Sequence, residues 1–148
     1  MSASPKYLIV DDDEVVRLAH KRSLLNAHCV VAAAPDGPSA LAAMEQEPAD
    51  VVLLDLRMPG QDGLTVLRDI KQRWPDSQVV VVTGYASIET AKEAVRLGAY
   101  GYLAKPLAPL ELIKAATDAL TYKRWALQAV PDQEDDENST GAAGELAD

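Results

Sequence analysis

Val51-Val52-Leu53-Leu54-Asp55 is an unbroken aliphatic run that stops on an acid. Apolar residues without alternation mark a strand buried on both faces, the kind found in parallel sheets. The same pattern recurs outward in both directions. Val79-Val80-Val81-Val82 stops on Thr83, and Lys6-Tyr7-Leu8-Ile9-Val10 stops on Asp11-Asp12. Cys29-Val30-Val31-Ala32-Ala33-Ala34 and Tyr100-Gly101-Tyr102-Leu103-Ala104 bring the strands to five, and Lys105 follows the last. Helical spacing fills the intervals: Val15 to Ala27, Ser39 to Glu47, Leu64 to Trp74, Ser87 to Leu97, and Leu110 to about Val130. Pro35-Asp36-Gly37 breaks the second strand from its helix, and Pro59-Gly60 and Asp62-Gly63 read as a loop. Ser87 can cap the fourth helix, although Thr90 does not supply the acid of a full capping box. Gly98 ends that helix. Five strands alternating with five helices predict an α/β domain: a parallel sheet with helices on both faces.

The composition suits one such domain. The 148 residues are 48% hydrophobic, and Phe is absent, so the core must be aliphatic. No run approaches the roughly 20 apolar residues of a membrane span, and the N-terminus has no signal-peptide pattern. Cys29 is a lone cysteine and is read as a core residue of the second strand; one thiol fits a reducing cytosol, and we place the protein in the cytoplasm. The net charge of −9 is concentrated at one end. Asp132, Glu134, Asp135, Asp136, Glu137, Glu145 and Asp148 lie in residues 131–148, which contain no Lys or Arg. That segment is expected to be a disordered acidic tail on a domain spanning 1–130. The nearly neutral body shows no basic patch, which argues against direct nucleic-acid binding.

In an open parallel sheet, ligands bind beyond the carboxyl ends of the strands. Asp11, Asp12, Asp55, Thr83 and Lys105 would all meet there. Crowded carboxylates repel one another, and a hard divalent cation relieves the repulsion; Mg²⁺ favours oxygen ligands and keeps several waters. His20 and His28, read as surface residues, form no cluster with Cys29 beside these acids, so a zinc site is disfavoured. With metal bound, one carboxylate can act as a nucleophile toward a phosphoryl group, while an ammonium and a hydroxyl steady the charge on its oxygens.

The segments Ile9-Val10-Asp11-Asp12-Asp13-Glu14, Leu54-Asp55-Leu56-Arg57-Met58-Pro59-Gly60, Thr83-Gly84-Tyr85 and Tyr102-Leu103-Ala104-Lys105-Pro106 resemble, in order and spacing, the signature of response-regulator receiver domains. The match covers residues 6 to about 125. Thr83 to Tyr100 is similar to receivers of the nitrogen-regulatory type. The resemblance implies a flavodoxin-like sheet of order 2-1-3-4-5 and a two-component phosphorelay function. Asp55 would be the phosphoacceptor, Asp12 a direct ligand of Mg²⁺ or Mn²⁺, Asp11 a ligand through water, and Arg57 a ligand through its backbone carbonyl. Asp55 itself would also touch the metal. Asp13 is the alternative member of the acidic pair. Lys105 would pair with a phosphoryl oxygen, Thr83 would swing its hydroxyl to it, Tyr102 would turn inward, and Pro106 would follow a cis peptide bond. Arg57 and Tyr85 occupy positions that in the family govern water access, so this bulky pair implies slow self-dephosphorylation.

The implied partners are a histidine kinase or phosphotransfer protein as donor and a protein target that reads the switched surface. No membrane partner is expected, and phosphorylation-linked homodimerisation is left open. The chain is expected to be a phosphoacceptor switch rather than an enzyme, and a stand-alone receiver, with a fragment of a longer transcriptional regulator as the alternative. A phosphohydrolase of the haloacid-dehalogenase kind would need an acid where Arg57 stands. A flavin-binding module would need a phosphate-cradling loop where Asp11-Asp12-Asp13-Glu14 stands. The full acid set, Thr83 and Lys105 argue against a pseudo-receiver that binds partners without phosphorylation.

Overall fold

The structure, a computed structural model, describes residues 4–25 and 28–139. In chain order the elements are β1 (Lys6–Val10), α1 (Glu14–Leu24), β2 (Val30–Ala34), α2 (Gly37–Gln46), β3 (Val51–Leu54), β4 (Arg57–Met58), β5 (Gln61–Asp62), α3 (Gly63–Arg73), β6 (Gln78–Thr83), α4 (Ile88–Arg96), β7 (Gly101–Ala104) and α5 (Pro109–Ser139). Five strands form one parallel sheet in the order β2-β1-β3-β6-β7. Counted among themselves, these five run 2-1-3-4-5, the expected flavodoxin-like order. The register puts Val10 opposite both Leu54 and Ala34, and Leu54 opposite Val81.

Successive side chains on a strand point to opposite faces, and the aliphatic runs divide accordingly. Leu8, Val10, Val52, Leu54, Val79 and Val81 pack against Met44 of α2, Leu67 and Ile70 of α3, and Ala94 of α4. Tyr7, Ile9, Val51, Leu53, Val80 and Val82 face the other way, against Leu24 of α1 and Leu112, Ala116 and Ala119 of α5. Burial on both sides is why these strands read as unbroken apolar runs.

The helix starts have local causes. The Asp13 side chain accepts from the Val15 and Val16 amides, Asp36 from Ser39, Asp62 from Leu64 and Ser87 from Thr90, each taking an amide that the helix leaves unpaired. Asp36, read above as part of a break, thus opens α2 two residues earlier than expected. At the far end of α4, Gly98 has φ 102° and its amide reaches the Val95 carbonyl at 3.0 Å, a turn that glycine adopts without steric cost.

Four expectations need correction. The stretch around Pro59-Gly60, read as plain loop, is a small antiparallel hairpin, β4 with β5, turned by Gly60 at φ 71°. Helix α5 runs to Ser139, beyond the end expected near Val130. Gln133, Glu134 and Glu137, all good helix formers, favour that continuation. Residues 140–148 lie outside the described part. Cys29 precedes β2 and is half-buried, its thiol donating to the Leu24 carbonyl at 3.1 Å. His20 is half-buried in α1 instead of lying on the surface.

Candidate functional site

Parallel strands deliver their carboxyl ends to one edge, and the ladder continues one step past them. The Asp11 amide donates to the Ala34 carbonyl at 3.1 Å, Asp55 to Val10 at 2.9 Å, and Lys105 to Thr83 at 2.8 Å. The backbone of each residue is therefore pinned to the neighbouring strand before its side chain makes any contact.

Oxygens of Asp11, Asp12 and Asp55 lie within 4.8 Å of one another, the one such group among the described residues. Asp11 and Asp55 are buried, at 3% and 6% exposure, whereas Asp12 is exposed. Lys105 Nζ stands 2.6 Å from Asp11 Oδ2 and 3.2 Å from Asp55 Oδ2. Burial by itself would lower the lysine pKa; the hydrogen bond and charge of Asp11, then those of Asp55, outweigh it and raise the pKa above its ordinary 10.5. The ammonium therefore stays charged through the neutral range. Asp11 is held further: its Oδ1 accepts from the Asp13 amide at 2.9 Å and its carbonyl from Arg17 Nη1 at 2.7 Å. Asp55 Oδ1 accepts from the Arg57 amide at 3.2 Å. Asp12 has no hydrogen bond to its carboxylate among the described residues. Asp13, the alternative pair member, spends its carboxylate on capping α1.

Asp55 is also fixed from behind. A Cβ on Gly63 would fall 2.4 Å from Leu56 Cα and 2.9 Å from the Asp55 carbonyl, so only glycine lets α3 begin there. The Gly63 amide closes the hairpin onto the Leu56 carbonyl at 3.0 Å.

The acids line a pocket of about 530 Å³ with Val16, Met58, Pro59 and Gly84. Arg57 and Tyr85 border it from the β3 and β6 sides, and the guanidinium carbon lies 3.9 Å from the Tyr85 ring centroid, a cation–π stack. A larger cleft of about 630 Å³ between α3 and α4 carries no such chemistry. Its Arg96 pairs with Glu93, and its Lys71 ammonium is spent on the Pro75 and Ser77 carbonyls.

The donor set fits a hard divalent cation: three carboxylates face one ammonium, all ligand atoms are oxygen, and exposed Asp12 leaves room for water. No His or Cys belongs to the group, so the set does not suit zinc.

Thr83, wholly buried at the end of β6, accepts the Tyr85 amide on Oγ1 at 3.2 Å. The Lys105–Pro106 peptide bond is cis. Tyr102 is not among the residues that line the pocket; its hydroxyl lies on the first turn of α4, 2.5 Å from Thr90 Oγ1. Sequence reading missed Arg17, Thr90 and the Arg57–Tyr85 stack. Only the first-turn position of Arg17 and the bulk of Arg57 and Tyr85 hinted at them.

Residues 7–117 match the family model described as the response regulator receiver domain. The C4-dicarboxylate transport transcriptional regulatory protein DctD of Rhizobium meliloti is 36% identical over 86% of this chain and 28% of its own length. The DNA-binding transcriptional regulator NtrC of Salmonella typhimurium is 36% identical over 77% of this chain and 24% of its own. The chain thus spans about a quarter of the length of these curated relatives. A CheY-like receiver domain protein from Methanospirillum hungatei superposes with a TM-score of 0.80 at 29% identity, covering 84% of this chain and 99% of that one. The chain belongs to the response-regulator receiver family of two-component signalling, with NtrC- and DctD-type regulators among its relatives.

Proposed function

We propose that Asp55 accepts a phosphoryl group from a histidine kinase or phosphotransfer protein in a reaction that needs Mg²⁺ or Mn²⁺, and that the acyl phosphate switches a protein-binding surface. The observation that carries this reading is the convergence of Asp11, Asp12 and Asp55 with Lys105 in one pocket. A carboxylate oxygen of Asp55 attacks phosphorus as the donor's bond to phosphorus breaks and its electron pair leaves with the donor. Lys105 exchanges Asp55 for a phosphoryl oxygen, while Asp11 keeps the ammonium in place. Asp12, Asp55 and the Arg57 carbonyl would hold the metal directly and Asp11 through water; when bound, the metal offsets charge on the phosphoryl oxygens. Thr83 exchanges the Tyr85 amide for a phosphoryl oxygen, and Tyr102 moves with it. The chain's role is that of a phosphoacceptor switch that assists its own phosphorylation rather than an enzyme acting on a separate substrate.

No helix among the described residues is long and apolar enough to cross a membrane, and we place the protein in the cytoplasm, with the receiver body in residues 1–130. A second reading of the output draws on the relatives, which are transcriptional regulators several times longer: the switched surface would then control a transcriptional output domain. Intact mass after incubation with acetyl phosphate and Mg²⁺ tests the main reading. Wild type should gain one phosphoryl group, and Asp55→Asn or chelator-treated protein none. Gain by Asp55→Asn would move the acceptor elsewhere, and no gain by wild type would sink the phosphoacceptor reading.

A further inference from the structure

The hairpin β4–β5 has two residues on each strand, too few to hold its own shape. It nevertheless carries one wall of the acidic pocket, formed by Arg57, Met58 and Pro59. Contacts from outside must therefore fix it. Its base is closed by the Gly63 amide on the Leu56 carbonyl. Residues directly opposite each other in an antiparallel pair share a face, so Arg57 and Asp62 lie on one side and Met58 and Gln61 on the other. Arg57 is spent on the Tyr85 ring and Asp62 on the cap of α3. Of the second pair, Met58 is buried in the core.

Gln61 goes to α2. A Cβ on Gly37, the first residue of that helix, would fall 2.2 Å from Gln61 Oε1, 2.4 Å from its Cδ and 2.7 Å from its Nε2. The Gln61 amide thus fills the place of the missing side chain. Glycine stands there for space and not for backbone shape, since Gly60 and Gly98 are the described glycines with positive φ. The seat is firm. Asp36 caps α2 through the Ser39 amide at 2.8 Å, and Ala40 and Met44 are fully buried on the turns that follow. Among the described residues the Gln61 amide makes no hydrogen bond, so its contribution is its shape.

We propose that Gln61 is a positioning residue: seated on Gly37, it ties the hairpin to α2 and holds the Arg57 carbonyl where a divalent cation can use it. The metal step rests on the phosphoacceptor reading; the seat belongs to the metal-free protein and is tested there first. Hydrogen exchange of the Gly63 amide, followed by NMR in the full chain without metal, reports opening of the hairpin. Gln61→Ala should speed it at least about fourfold, the factor that burial of one methylene gives. Gly37→Ala should do the same by expelling the amide, and the amides of β6 should not change. Titration with Mg²⁺, read from the Arg57 amide resonance, should give a dissociation constant about tenfold higher in both variants, the lower end of the loss when a residue orienting a metal ligand is removed. Gln61→Met, equal in length, should keep the wild-type rate and affinity. The double variant should be no worse than the weaker single, because both changes act on one contact. Wild-type exchange in Gln61→Ala, a Gln61→Met rate equal to that of Gln61→Ala, or a double variant whose effect is the product of the singles would each overturn the seat. Faster exchange with unchanged Mg²⁺ affinity would overturn the link to the metal. A wild type that binds no Mg²⁺ or gains no phosphoryl mass counts against the phosphoacceptor reading, and the exchange rates then decide the seat alone.

Discussion

At the scale of single residues, the pocket separates groups that support the fold from groups available for ligand. Asp11 and Asp55 are buried and bonded, so their loss disturbs the protein as well as the chemistry. Asp12 is exposed, and its carboxylate has no hydrogen bond among the described residues. Asp12→Asn is therefore expected to leave metal-free stability within about 0.5 kcal/mol of wild type while abolishing the rise in melting temperature that Mg²⁺ gives by binding the native state. Thermal melts with and without Mg²⁺ check this, and an undiminished rise would remove Asp12 from the ligand set. Arg57 offers a second case. It stacks on Tyr85 and both line the pocket, so on the phosphoacceptor reading the pair would hinder the water that hydrolyses an acyl phosphate. Arg57→Asn should speed phosphate release roughly fivefold, the equivalent of about 1 kcal/mol of cation–π attraction; timed loss of phosphoryl mass reads the rate. His20 supplies a pH dependence. Burial lowers its pKa below the ordinary 6.5, against an opposing pull from Asp11. The unfolded chain therefore takes up the proton first as pH falls, so stability is complete above 6.5 and drains away below it, toward the lower folded value. His20→Gln should flatten that slope in urea midpoints measured from about pH 7.5 to about pH 5.5, and an equal slope in both proteins would assign it to other groups.

At the scale of elements, the hairpin β4–β5 and the start of α3 act as one brace behind Asp55. Gly63→Ala would press a methyl group into Leu56 backbone, where no flexible side chain can yield. We expect a loss of about 1–3 kcal/mol, typical of overpacking, together with slower phosphorylation, read from urea unfolding and from the acetyl phosphate time course. The main elements were legible in the sequence because burial on both faces leaves an unmistakable pattern: the runs Val51–Leu54 and 79–82 are apolar throughout and admit no amphipathic reading. The hairpin was not, because two residues on either side of Pro59-Gly60 are too few for alternation to show. The extent of α5 was hidden by Pro131, whose ring and missing donor normally halt a helix. Within the site, Asp11, Asp55 and Lys105 could be placed because each directly follows a strand and inherits its position from the ladder. The Tyr102–Thr90 bond and the Arg57–Tyr85 stack depend on side-chain torsions and loop paths that residue order does not encode.

At the scale of the whole molecule, one sheet serves two cores. Leu67 in α3 and Leu112 in α5 are both fully buried, on opposite faces of the same strands. Leu67→Ala and Leu112→Ala should each cost about 2–5 kcal/mol. Because neither layer has a sheet of its own, each variant should still unfold in one cooperative step, with fluorescence and circular dichroism coinciding. Separate transitions would mean that the layers are independent.

The hydrogen bonds that carry the ladder one step past the strands have a bearing on how the chain is made. Asp11, Asp55 and Lys105 come from near the beginning, the middle and the end of the domain, and each is set by a neighbour from another part of the chain. A nascent chain that has emerged only as far as β6 holds its acids without their ammonium. The chemistry arrives with β7, after nearly all of the sheet is in place. On the phosphoacceptor reading, an unfinished or misregistered copy would present Asp55 without the ammonium that steadies a phosphoryl oxygen, so the competence of the site would follow the completeness of the fold.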